Sequence, residues 1–164
     1  MLSETTSNLL LNNSWSGTTL CHTGYNGSDC KNISFAARLD KLIAEGYFEK
    51  NKVDTFLLFG GTNDSWANSP IGEFKGDNIT QEDIYSVLPA MEHICASLKN
   101  NLPCTKIVCV INVQLKQEIK DAFAYLCEKY GFVCAKLKDL DLVNGHPTSK
   151  GMEQIKDQIL DSLK

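Results

Sequence analysis

The chain has 164 residues, of which 43% are hydrophobic and 22% are charged, an ordinary balance for a globular protein with a sizeable core. The formal net charge is −4 and no basic cluster is present. Nucleic acid is therefore not an expected partner, because phosphate binding needs concentrated Lys and Arg. No apolar run approaches the ~20 residues that a membrane-spanning helix needs.

The seven cysteines include no Cys-x-x-Cys pair, so neither a zinc site nor a redox motif is expected. Cys21 and Cys30 flank a loop, and we expect them to stay unpaired. Met1 to Asn8 is polar and the apolar run that follows is too short for a signal peptide. We expect a single domain over residues 1–164, compatible with excision from a longer precursor, because the first predicted strand begins almost at once.

The predicted elements alternate between strands and helices. Strands are expected at residues 9–12, 18–23, 53–59, 106–111 and 132–135. Helices are expected after a cap at Asn32 or Ser34, from Thr80 with a kink or break at Pro89, over residues 115–130, and after residue 146. This alternation predicts a three-layer α/β/α sandwich around a mostly parallel, flavodoxin-like sheet of about five strands.

The segment Gly60–Asp64 follows the strand at 53–59, a nearly continuous apolar run typical of a strand buried on both faces. Two glycines permit a sharp turn and close approach of another group. Asn63 and Asp64 would then lie at the carboxyl edge of the sheet, where open α/β folds bind ligands. The alternative is a plain turn, because every residue in the segment is a good turn former.

Three loops at that predicted edge carry Ser14, Asn63 and His146. A serine hydroxyl is a weak nucleophile until a base removes its proton, and the carbonyl oxygen that becomes an anion needs fixed hydrogen-bond donors. A serine, a side-chain amide and a histidine supply these parts. Each residue alone also has a structural explanation, Ser14 as a turn residue and His146 as part of the cap of the final helix.

These motifs resemble those of the SGNH hydrolases, also called GDSL-type esterases and lipases, over about residues 9–163. Gly61–Asp64 matches the family's Gly-x-Asn-Asp block, and His146-Pro147 with Gly151 matches its histidine block. The serine block is degenerate, since Asn12 and Asn13 stand where Gly and Asp are usual, and the glycine block is short, with residues 26–28 as its best match.

The resemblance implies roles for individual residues. Ser14 would be the nucleophile and His146 the general base. The backbone amides of Ser14 and Gly27 and the side chain of Asn63 would form the oxyanion hole, while Asp64 would brace its loop. The resemblance implies neither a metal nor an organic cofactor.

One departure concerns the acid that usually stands three residues before the histidine, because that position is Val143. Asp139 and Asp141 are the nearby carboxylates, with Asp141 the candidate third member of a triad. If neither reaches the imidazole, a backbone carbonyl would orient it in a Ser-His dyad, and the loss of the acid can cost orders of magnitude in rate.

The main hypothesis is therefore a serine esterase acting on a small-molecule or glycan ester, with an O-acetylated carbohydrate favoured. Tyr25 and Trp66 flank the predicted site and are candidates to stack on a sugar ring. A non-catalytic carbohydrate-binding domain and a flavodoxin-like phosphate binder are the alternatives, the latter weakened by the lack of a Gly-rich loop with Lys. The resemblance makes an extracytoplasmic setting plausible, whereas the compartment and the oligomeric state are not defined by the sequence.

Overall fold

A computed structural model of the protein describes residues 11–164. Its helices are α1 (Phe35–Ala44), α2 (Tyr47–Lys50), α3 (Thr62–Ala67), α4 (Val87–Asn101), α5 (Gln117–Tyr130) and α6 (Ser149–Ser162). Its strands are β1 (Thr55–Leu58), β2 (Lys106–Ile111), β3 (Val133–Lys136), β4 (Leu142–Val143) and β5 (His146–Pro147). Short 3₁₀ turns lie at Tyr25–Gly27 and Asp83–Tyr85.

The main sheet has the order β1-β2-β3, and its strands are parallel. Leu57 lies opposite Val108, and Cys109 lies opposite Cys134. The central strand β2 is buried from Ile107 to its last residue, as the apolar run predicted. The strands β4 and β5 form a separate antiparallel hairpin. A parallel α/β sheet is thus confirmed.

The expected number of about five strands is too high for residues 11–164, which contribute three strands to the parallel sheet. Residues 18–23 form no strand, apart from one isolated bridge between Thr23 and Asp29. Their backbone amides form hydrogen bonds outside any sheet. The Leu20 amide donates to a carboxylate, and the His22 amide donates to the carbonyl of Ile84. Of the strand predicted at 9–12, residues 9 and 10 lie outside the described residues, and residues 11 and 12 are irregular.

Helices cover both faces of the sheet. On one face, α1, α4 and α5 bury a large apolar cluster that includes Leu39, Met91 and Phe123. On the other face, α6 packs Ile155 and Ile159 against β2 and β3. The two clusters alternate along β2, as expected for a strand buried on both sides. This is the predicted three-layer arrangement.

The helix predicted from Thr80 begins later than expected. Thr80 and Asp83 do form reciprocal cap-like hydrogen bonds, but these support only the 3₁₀ turn. Helix α4 then begins at Val87, which places Pro89 in its first turn. A proline there removes no intrahelical hydrogen bond, so the predicted kink is absent and the segment is split instead.

Other local predictions hold. Ser34 is the cap of α1, and its Oγ accepts a hydrogen bond from the Ala37 amide at 3.1 Å. Gly46 follows this helix in the left-handed conformation (φ 65°). All seven cysteines are free thiols, including Cys21 and Cys30. Within residues 11–164, no helix is long and apolar enough to cross a membrane.

Candidate active site

The Gly60–Asp64 segment connects β1 to α3, so the predicted turn leads directly into a short helix. Gly61 has a φ of 93°, which side chains rarely adopt. A Cβ on Gly60 would lie 2.8 Å from Cδ2 of Leu20. Both glycines are therefore needed, because the loop containing Leu20 packs directly on the backbone of this turn.

The buried carboxylate of Asp64, 1% exposed, holds that loop in place. Its Oδ1 and Oδ2 accept the Leu20 amide at 3.0 and 2.9 Å, and Oδ1 accepts the Cys21 amide at 3.3 Å. Burial raises the pKa of Asp64, while the hydrogen bonds from the Leu20 and Cys21 amides act in the opposite direction. The position and bonding of Asp64 fit the bracing role that the sequence suggested for it.

The side chain of Asn63 lies one residue earlier and is half-buried. Its Nδ2 donates to the carbonyl of Thr18 at 2.8 Å, and its Oδ1 accepts the Tyr25 hydroxyl at 3.0 Å. A primary amide carries two N–H groups, and the second one makes no hydrogen bond within residues 11–164. These bonds bring two predicted site residues, Tyr25 and Asn63, together.

His146 lies on β5, at the tip of the hairpin formed with β4, and its side chain is exposed. Its ring packs edge-on against the indole of Trp66, with centroids 5.6 Å apart and an interplanar angle of 86°. Trp66 belongs to α3, the helix that also carries Asn63. The described contacts thus bring His146, Trp66, Asn63 and Tyr25 to one edge of the molecule.

The carboxylate of Asp141 is bound by the Thr148 hydroxyl. The Asp141 carbonyl also accepts the Thr148 amide at 3.0 Å, and Thr148 caps α6 through the Gly151 amide at 3.1 Å. Among residues 11–164, His146 makes no hydrogen bond to a carboxylate, and Val143 is 60% exposed opposite it. In this structure Asp141 secures the hairpin to α6, and its role beside His146 stays a prediction.

Ser14 lies in an exposed irregular segment, and its amide donates to Oδ1 of Asn12 at 3.0 Å. The amide of Gly27 donates to the Gly24 carbonyl at 3.2 Å. Both predicted oxyanion amides therefore already have partners within the chain. In the described part of the chain no contact joins Ser14 to His146, so the nucleophile and the oxyanion amides remain predictions.

A match over almost the whole chain decides the family. A family model described as GDSL-like lipase/acylhydrolase matches residues 1–163. The chain belongs to this family. Family membership supports the hydrolysis of an ester and leaves the reacting residues and the substrate open.

Solved structures of related proteins share the fold of this GDSL-like chain. One from Bacteroides ovatus, whose protein is called a GDSL-like lipase, shares 38% identity and a TM-score of 0.88, over 99% of this chain and 74% of that one. Another from Bacteroides uniformis, with the same description, shares 40% identity and a TM-score of 0.84, over 93% and 68%. A Lactobacillus plantarum structure, 19% identical with a TM-score of 0.65 over 90% and 77%, shares the fold. No curated protein matches the chain.

Arg38 contacts the segment that carries Ser14 in this GDSL-like chain, and the sequence patterns did not predict this contact. It lies on α1, and its guanidinium reaches the loop that carries Ser14. Its partners are 20 and 25 residues distant, so no local pattern reveals the contact. The sequence feature that could have pointed to this contact is an arginine within an otherwise apolar helix face.

A hydrogen bond between a serine and a histidine does occur in this family member, but it involves neither Ser14 nor His146. Nδ1 of His22 is 2.9 Å from Oγ of Ser34. Ser34 is fully buried and caps α1, so its hydroxyl cannot reach a substrate. We interpret this pair as structural.

Proposed function

We propose that the chain is a serine esterase that removes an O-acetyl group from a carbohydrate through an acyl-serine intermediate. The observation that carries the proposal is that Asn63 lies on the same short helix as Trp66, whose indole contacts the His146 imidazole. That combination offers a hydrogen-bond donor and a base within the same short stretch of surface. The family match supports the ester as the substrate class.

In the proposed reaction, Oγ of Ser14 attacks the ester carbonyl as His146 takes the hydroxyl proton. The tetrahedral intermediate collapses when His146 returns that proton to the sugar oxygen, which leaves as an alcohol. Water, deprotonated by His146, then cleaves the acetyl-serine and releases acetate. Each half-reaction needs His146 once as a base and once as an acid.

The proposed oxyanion donors are the unused N–H of Asn63 and the amides of Ser14 and Gly27. To act in this way, the Ser14 amide would have to break its hydrogen bond to Asn12, and the Gly27 amide its hydrogen bond to Gly24. Asn63 needs no such exchange, because its second N–H is not required by Thr18. We therefore assign Asn63 the leading share of oxyanion stabilisation.

Asp141 is the proposed orienting acid for His146. One of its oxygens accepts the Thr148 hydroxyl, and a carboxylate has a second oxygen that can accept the imidazole N–H. Without a hydrogen bond from His146 to Asp141 the reaction proceeds by a Ser-His dyad. The carbohydrate preference rests on Tyr25 and Trp66, whose side chains are 41% and 43% exposed beside Asn63 and His146. An exposed aromatic face next to hydrogen-bonding groups suits a sugar ring.

The test is turnover of p-nitrophenyl acetate by the wild-type chain, Ser14→Ala and His146→Ala. We expect both variants to lose at least about 10³-fold in kcat, because the nucleophile and its base act as a unit. Ser16→Ala is the matched control, since Ser16 is a neighbouring exposed serine, and it should keep wild-type activity. Turnover that is unchanged in Ser14→Ala would contradict the proposed nucleophile.

The second candidate is a non-catalytic carbohydrate-binding domain. It is favoured by the absence, among the described residues, of a hydrogen bond from His146 to a carboxylate. In that case the wild-type chain would not turn over p-nitrophenyl acetate, yet Trp66→Ala and Tyr25→Ala would weaken its binding to an acetylated xylo-oligosaccharide. An active wild type excludes this candidate.

A further inference from the structure

Arg38 is a buried cation beside the proposed nucleophile. Its side chain is on α1, and the residue is 7% exposed. Nε donates to the Ile33 carbonyl at 3.1 Å, one Nη donates to the Asn13 carbonyl, and the other lies 3.3 Å from Oγ1 of Thr18. All three acceptors are uncharged oxygens.

Aromatic rings flank the guanidinium as well. Its Cζ lies 4.7 Å from the ring centroid of Phe35 and 5.2 Å from that of Trp15. Cation–π contacts of this kind offset part of the cost of burial, but they do not neutralise a charge. The Trp15 side chain is itself exposed, so this part of the site opens to solvent.

No carboxylate in residues 11–164 forms an ion pair with Arg38. Burial lowers the pKa of this guanidinium, and it is the one cause resolved for the change. A buried charge without a partner of opposite sign is costly, and proteins seldom keep one. An anionic ligand would supply the opposite charge that residues 11–164 do not provide.

The guanidinium also has donors to spare. It carries five N–H groups, and the described bonds use three of them. The two that remain lie on the two Nη atoms, in the fork that suits a carboxylate. Because Arg38 bonds the Asn13 carbonyl, a group held by this fork would lie within a few atoms of Ser14.

We propose that Arg38 forms an anion subsite of the proposed esterase and selects an ester whose acyl or alcohol half carries a carboxylate. The proposal rests on the proposed function for the reaction itself, but the binding of a carboxylate by Arg38 does not require catalysis. Arg38 is the specificity-determining residue here, because it contacts the charged end of the substrate and not the reacting atoms.

The experiment compares two substrates that differ by one charge: mono-4-nitrophenyl succinate, with a free carboxylate, and its neutral methyl ester. We expect the wild-type chain to prefer the anionic substrate about ten- to a hundredfold in kcat/KM, the usual worth of a charge-assisted hydrogen bond. Arg38→Gln should abolish the preference, so that its kcat/KM values for the two substrates become equal. Arg38→Lys should restore part of the preference, because it keeps the charge and loses the fork.

Lys41→Gln is the matched control, because it removes a positive charge from an exposed position on the same helix. It should leave the preference unchanged. A wild-type chain that hydrolyses the anionic and the neutral substrate with equal kcat/KM would overturn the proposal. An equal loss of activity toward both substrates, seen in Arg38→Gln and in Arg38→Lys, would also overturn it. Arg38 would then serve only to hold the Asn13–Thr18 segment in place.

Binding measured without turnover separates this inference from the proposed function. In Trp66→Phe, Trp15 is the one remaining tryptophan, and it packs against Arg38. Titration of this variant with monomethyl succinate should change the Trp15 emission, and the change should vanish when Arg38→Gln is added. If the wild type hydrolyses neither ester and the titration responds, the proposed function fails and the anion subsite stands; if the titration is silent, the subsite is overturned.

Discussion

At the scale of single residues, buried polar groups determine how the loops of the site are held. Asp64 fixes the backbone of Leu20 and Cys21, and Asn63 fixes Thr18 and Tyr25. Since Asp64 is buried and its bonds satisfy main-chain donors, its removal would leave those amides unpaired. The neighbouring Asn63 uses one N–H in the described hydrogen bonds, so its second N–H is the donor that we assign to the proposed oxyanion hole.

His22 makes the stability of the fold depend on pH. Burial lowers the pKa of this imidazole, an effect that Asp40 and Asp29 partly oppose and that His93 and Lys31 reinforce. The unfolded chain therefore binds a proton at His22 more readily than the folded chain does. Stability is complete above the unfolded pKa of about 6.5 and falls as the pH drops through the lower folded value.

We expect the free energy of unfolding to decrease between pH 7 and pH 5 because of His22. His22→Asn should flatten this slope, whereas His146→Asn, which removes an exposed imidazole, should not. Urea denaturation at each pH measures both. Carboxylates with lowered pKa values, such as Asp83, titrate below this window. The buried Asp64, whose pKa is raised, is present in the wild type and in His22→Asn, so the difference between their slopes reports on His22. Equal slopes in the wild type and His22→Asn would contradict the assignment.

At the scale of elements, the hairpin that carries His146 depends on close contact with the start of α6. A Cβ on Gly151 would overlap the Asp141 carbonyl oxygen and lie 3.2 Å from Cβ of Pro147. The first of these is a backbone atom, so the hairpin would have to move to admit a methyl group. Gly151 is therefore required by packing and not by its backbone angles.

Gly151→Ala should lower the free energy of unfolding by about 1–3 kcal/mol, the usual cost of overpacking, although alanine is the better helix former. It should also reduce esterase activity, because the displaced hairpin carries His146. Lys150→Ala introduces the same residue at an exposed position of the same turn and should be neutral. A variant as stable as the wild type would show that the hairpin yields without cost.

Elements whose hydrophobic residues follow a clear pattern were predictable from the sequence. The strand β2 and the helix α5 follow directly from an apolar run and an amphipathic repeat. Residues 18–23 were misassigned because their backbone pairs with Asp64, 44 residues away for Leu20. The hairpin strands β4 and β5 have two residues each, which is too short to show a hydrophobic periodicity.

The place of the candidate site at a strand end was predictable from its turn chemistry. Gly61 and Asn63 follow β1, and the ends of such strands are where open α/β sheets bind ligands. Arg38 was not predictable, because its role depends on contacts that the fold creates between distant segments. The partner of Asp141 was likewise hidden, since Thr148 lies in the next element.

At the scale of the whole molecule, the fold brings the β4–β5 hairpin beside the helix that follows β1, where the His146 ring contacts Trp66. The two Bacteroides structures share the overall fold, with TM-scores of 0.88 and 0.84, and this chain spans 74% and 68% of their lengths. Family membership thus establishes the architecture and supports ester hydrolysis as the reaction class. The central claim that remains is that Ser14, activated by His146, is the nucleophile.

Covalent labelling tests that claim most directly. The wild-type chain is treated with a fluorophosphonate, digested, and its modified serine located by mass spectrometry. We predict a single adduct on Ser14, formed much more slowly in His146→Ala because the base that activates the hydroxyl is gone. An adduct on another serine, or hydrolysis of p-nitrophenyl acetate that continues while Ser14 stays unlabelled, would contradict it.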